Sequence, residues 1–166
     1  MKLRTRFTFL ISSLIILMFA LFISFLLLVE STHLMRESEE IRKDTVLKLA
    51  RVCRESFLSH DEISLLNYLK DIETSSQVVW AMTVDPTNRV LMHSAVSQRN
   101  KLLRDLPLIK LSADSNVIVE RYRTKNRQIV EYATPVIVAG RQIAIGRIGY
   151  DSQALSRAIN DALLRT

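Results

Sequence analysis

Cysteine is almost absent. Cys53 is the only one in 166 residues, so no intrachain disulfide holds this fold. It sits on an apolar helical stripe, which favours plain packing over an intersubunit bond. Glycine is nearly as scarce: Gly140, Gly146 and Gly149 are the whole set, and their spacing matches no phosphate-binding loop. The three prolines, Pro86, Pro107 and Pro135, all lie in the second half of the chain, so Glu30 to Leu58 is free of both helix breakers. His33, His60 and His93 are far apart and lack HExxH or CxxC spacing, so no metal site is expected. Ser94 follows His93 directly, but neighbours on a strand point to opposite faces and do not make a nucleophile–base pair. No catalytic constellation, cofactor motif or internal repeat is present. Enzymatic activity is not expected of this chain.

Long apolar sequence, by contrast, is there at once. Phe7 to Val29 is twenty-three residues without a charge, glycine or proline. As a helix it would be about 35 Å long, against a hydrocarbon core of about 30 Å. No small-residue cleavage site follows, so the run reads as an uncleaved anchor. Lys2, Arg4 and Arg6 precede it, while Glu30, Glu37, Glu39 and Glu40 lead the mixed charges after it, which favours a cytoplasmic N-terminus. The expected organisation is a cytoplasmic leader (1–6), a transmembrane helix (7–29), a juxtamembrane long helix (30–58), a core domain (59–150) and an exit helix (151–166). The anchor would sit in the lipid of a bacterial inner membrane, leaving 30–166 extracytoplasmic. That portion is long enough for one core. The net charge is +6, and outside the cytoplasm nucleic acid is not an expected partner.

Periodicity sets the elements. Val46, Leu49, Ala50, Cys53 and Phe57 form a helical stripe, and Leu34 and Ile41 are seven residues apart where two copies of a homodimer could meet. A second helix follows, capped by Ser59 or Asp61, with Ile63, Leu65, Leu66, Leu69 and Ile72 as its apolar face. Val78–Val84 reads as a strand covered on both sides, Asp85-Pro86-Thr87-Asn88 as a turn, and Arg89–Ser94 as the return strand. Residues 95–115 are irregular, with a short helix around Lys101–Leu111 interrupted by Pro107. Three strands follow, 117–122, 128–138 and 142–150, joined by Lys125-Asn126 and by Ala139-Gly140. Pro135 suggests a bulge or an edge position, and Gly146 or Gly149 a second bulge. The fold class is α+β: a transmembrane helix continuing into a long helix, then a five-stranded antiparallel sheet with flanking helices.

Two stretches, VVWAMTVDPTNRVLMHS (Val78–Ser94) and VEYATPVIVAGRQIAIGRIGYDSQAL (Val130–Leu155), resemble the Cache family of PAS-like extracytoplasmic sensor domains. The resemblance covers about 31–160. Asn88 stands where the family turn usually has glycine, and the glycine often found after the His-Ser stretch is missing from 95–101. The resemblance implies a PAS-like sheet and a small-molecule sensor in a transmembrane receptor of histidine kinase, cyclase or chemoreceptor type. No output domain is recognised in this sequence.

Candidate ligand contacts follow from residue chemistry. Arg121 and Arg123 share a strand face and read either as a solvated edge or as a clamp for a small organic anion. Arg147, alone in an apolar strand, either reaches the edge or meets a buried acid. Trp80, Met82 and Tyr132 read as core residues or as the wall of a pocket, and His93 as a surface, core or ligand-contact residue. A rival reading is a membrane-anchored structural or assembly protein whose extracytoplasmic domain binds another protein.

Overall fold

The computed structural model describes residues 3–103, 106, 109, 116–124, 127–154, 156 and 157; for 3–10, 27–35 and 96 the description covers the backbone alone. The chain divides into two units, Met1–Ser38 and Glu39–Thr166. Helix α1 is Leu3–Ser59 and helix α2 is Glu62–Glu73; the strands are β1 (Val78–Val84), β2 (Val90–His93), β3 (Ile118–Thr124), β4 (Arg127–Val138) and β5 (Arg141–Asp151).

In the first unit, α1 leaves every side chain from Ile11 to Leu26 exposed. Among the described residues no helix is long and apolar enough to cross a membrane.

The second unit is built on one sheet, in the order β2-β1-β5-β4-β3 with every neighbouring pair antiparallel. α1 contributes Val46, Leu49 and Cys53, and α2 contributes Leu65, Leu69 and Ile72, to a core shared with Ala81, Met92, Val130, Tyr132, Val136, Ala144, Ile148 and Tyr150. A second cluster, Met82, Val84, Val90, Ala133 and Ile145, lies on the other face, where Leu103, Leu106 and Ile109 cover it. One face therefore carries helices, and the other is roofed by crossover residues, of which the described ones are not helical.

Two helical expectations need correction. Phe57 is 58% exposed and Ile63 71% exposed. Ser56, not Phe57, occupies the buried position three residues after Cys53, and its hydroxyl donates to Asp61 O at 2.6 Å where the chain turns into α2. Asp61 is the cap of α2, accepting from Ser64 N at 3.1 Å. Ile63, in the first turn, then points away from the Leu65–Leu69–Ile72 stripe.

β3, β4 and β5 each run slightly past an expected end, whereas β2 is shorter than expected at both. Ala139 and Gly140, with φ of 49° and 75°, form the two-residue turn between β4 and β5. Pro135 pairs with Ile145 on one side, while β3 reaches only as far as Ala133 on the other, so the proline sits where β4 has become an edge. The register shifts by one between Val136 and Ile137, and β1 is irregular between Val78 and Trp80, opposite Gly149. A Cβ on Gly149 would overlap the Trp80 indole, so glycine there permits the ring to lie on the strand. In the crossover, Val96–Gln98 is a short 3-10 turn. The helix expected around 101–111 falls largely outside the described residues, and the described ones are not helical. Lys125-Asn126 and most of the expected exit helix also lie outside them; 152–154, 156 and 157 are helical.

Candidate functional site

The roofed face holds an ion pair. Arg147 on β5 and Glu131 on β4 are both 0% exposed. Arg147 pairs in register with Ala133, and Glu131 with Gly149, so the two charges are diagonal neighbours on one face. Arg147 Nε donates to Glu131 Oε1 at 2.6 Å and Nη2 to Oε2 at 2.8 Å, the two-pronged geometry a guanidinium offers a carboxylate. Tyr122 on β3 donates its hydroxyl to Glu131 Oε2 at 2.6 Å. Burial first, and then the Glu131 charge, holds the Tyr122 phenol far above its ordinary range, so it stays a donor.

Asn88 joins this pair to the roof. Asp85 Oδ1 accepts from Thr87 N at 2.8 Å and Arg89 N at 2.9 Å, which tightens the β1–β2 turn and leaves Asn88 at φ 69°. Asn88 is buried, and its Oδ1 accepts from Arg147 Nη1 at 2.5 Å. Its Nδ2 donates to Leu103 O at 3.0 Å and Leu106 O at 3.4 Å. Backbone bonds add to the tie: Val90 N to Lys101 O at 2.9 Å and Leu103 N to Asn88 O at 3.1 Å. A chain of polar contacts thus runs from Tyr122 through Glu131, Arg147 and Asn88 to the roof.

Of the residues expected at a site, Trp80, Met82 and Arg147 come together on this face. Trp80 is partly buried over Gly149, and its indole Nε1 is buried with no hydrogen-bond partner among the described residues. Met82 is buried in register with Arg147. Tyr132 lies on the opposite face, where its hydroxyl accepts from Arg42 Nε at 3.0 Å and its ring meets Tyr150 edge-on at 5.6 Å between centroids. Burial pushes the Tyr150 phenol up to about 12. Arg121 and Arg123 lie on the edge strand, in register with Val130 and Gln128, and so belong to the helix-bearing face. The three arginines are not gathered into one cluster.

His93 is on the edge strand β2. Its Nδ1 accepts from Ala95 N at 2.8 Å, and burial lowers its pKa while the Glu73 charge pulls it back. It lines a groove of about 230 Å³ with Glu62, Ile63, Leu66, Met92 and Arg99. Cys53 is buried on the helix-bearing face, its thiol pushed up to about 11 by burial. Among the described residues, no group of three His, Cys, Asp or Glu side chains is placed to hold a metal ion.

Glu131, Tyr122 and Asn88 are the site residues that reading the sequence missed. The signal for Glu131 was a lone acid in the apolar stretch of β4, matching the lone Arg147 in β5 across a two-residue turn. Nothing local to Tyr122 marked it, because its role depends on β3 pairing with β4.

No curated protein matches the chain. Cache domains are ligand-sensing modules of signalling receptors and are typically extracytoplasmic. The family model for single Cache domain 3 matches residues 30–164, over a five-stranded antiparallel sheet with flanking helices, and the chain belongs to the single Cache domain 3 family.

Proposed function

We propose that the chain is the extracytoplasmic sensing region of a membrane-anchored receptor, held by the Phe7–Val29 run and responding to a small organic anion on the roofed face. The observation that carries this reading is the buried Arg147, a cation on the face that Leu103, Leu106 and Ile109 cover. The uncharged run and the basic leader support the anchor, as does the exposure of Ile16 (68%) and Phe19 (64%) within it. Pairing of two copies along α1 would cover Ile41, which is 60% exposed; Leu34 lies outside the described side chains. The output would be a kinase, cyclase or chemotaxis module.

A thermal-shift screen of organic acids against the full chain in detergent tests the ligand. An acid at about 100 times its Kd stabilises by about 2.7 kcal/mol, and Arg147→Met removes the effect. If no acid shifts the melting temperature, the anion reading fails. A second reading, docking of another protein, is favoured by the exposed Phe57, Leu58 and Ile63, the last of which lines the 230 Å³ groove.

A further inference from the structure

We infer that Glu131 is a built-in occupant of the Arg147 cradle, a carboxylate of the chain in the place a small organic anion would take. The geometry is that of a bound ligand. Both Glu131 oxygens are taken by Arg147, at 2.6 and 2.8 Å, and Oε2 also accepts from Tyr122 at 2.6 Å. Arg147 and Tyr122 come from two different strands and converge on this one carboxylate. Asn88 takes a further guanidinium contact and carries it to the roof carbonyls.

The inference deepens the anion reading of the roofed face and rests on it for the ligand class. An external carboxylate reaches Arg147 only by exchange with Glu131, since two carboxylates beside one guanidinium in a buried site repel each other. Glu131 then acts as an intramolecular competitor. It lowers apparent affinity by the fraction of time the cradle is vacated, which sets a high concentration threshold for response. Exchange also releases Tyr122 and shifts the contact that Asn88 passes to Leu103 and Leu106, so occupancy is felt at the roof.

The atoms removed by Glu131→Ala are a CH2–COO⁻ group, close in size and charge to acetate. Sodium acetate is therefore the probe, compared with sodium chloride at equal ionic strength on the full chain in detergent. The expected result is a saturable rise of about 3 °C or more in the melting temperature of Glu131→Ala, or acetate-dependent folding if that variant is unfolded in chloride. Glu131→Gln, which keeps the cradle filled, and the double variant Glu131→Ala with Arg147→Met should not respond. The inference is overturned if Glu131→Ala is indifferent to acetate, if it is unfolded in both salts, or if either control responds equally. The outcome is separable from the organic-acid screen. Acetate rescue with a silent wild-type screen keeps the built-in occupant and rejects the anion sensor, whereas wild-type binding without rescue does the reverse.

Discussion

The two faces of the sheet solve burial differently. The helix-bearing face is closed by aliphatic side chains of α1 and α2, with Val46, Leu49 and Leu69 fully buried. The roofed face buries a charged pair beneath a segment whose described residues have little regular structure. Packing of the first kind is redundant, because many contacts share the load. Packing of the second depends on a few directed bonds, and losing one partner strands the other in a dry site. The first arrangement suits a fixed scaffold, and the second suits a part that changes state.

The largest expected effect is on the roofed face. Arg147→Ala should lower unfolding free energy by about 3–5 kcal/mol in urea titration, because it leaves Glu131 buried without its cation. Glu131→Leu with Arg147→Met should recover most of that loss. A single-variant cost under about 1 kcal/mol would mean that the pair is not dry and would erase the contrast between the faces.

Leu49→Ala should cost about 3 kcal/mol through the cavity left between α1 and the sheet. Acetate rescue of Glu131→Ala should be unchanged in that background. Loss of rescue would show that the two faces are coupled and not separate.

The smallest effect is a pH slope. The folded pKa of His93 is below the ordinary value of 6.5, so the unfolded chain takes up a proton first. Its contribution is complete above about pH 6.5 and declines as pH falls through that value toward the lower folded pKa. His93→Gln should flatten the slope of urea midpoints between about pH 7 and about pH 5. An equal slope in the variant would assign it to other groups.

Much of the fold was legible. The strands, the turns at Asp85–Asn88 and Ala139-Gly140, and the helical stripe of Val46, Leu49 and Cys53 follow from local periodicity and turn chemistry, which act over a few residues. Phe57 and Ile63 have the spacing of an apolar face but lie off it, because Ser56 takes the buried position in the last turns of α1 and Ile63 falls in the capped first turn of α2. The candidate site was less legible. Arg147 stood out as a charge in an apolar strand, but its partner lies sixteen positions away.

By itself the sequence determined that β4 and β5 form a hairpin, since Ala139-Gly140 joins two apolar runs. It also determined that the stretches 128–138 and 142–150 each carry a single charge, Glu131 and Arg147. It did not determine that the charges meet. From Val138–Arg141 to Ile137–Gln142 the pairing follows the turn, and that register would place Glu131 opposite Ile148, away from Arg147. The one-residue shift between Val136 and Ile137 moves Glu131 opposite Gly149 and onto the Arg147 face. Strand side chains alternate with a period of two, so a single extra residue exchanges the faces. Only the tertiary structure, by fixing that bulge, turned two isolated charges into a buried pair.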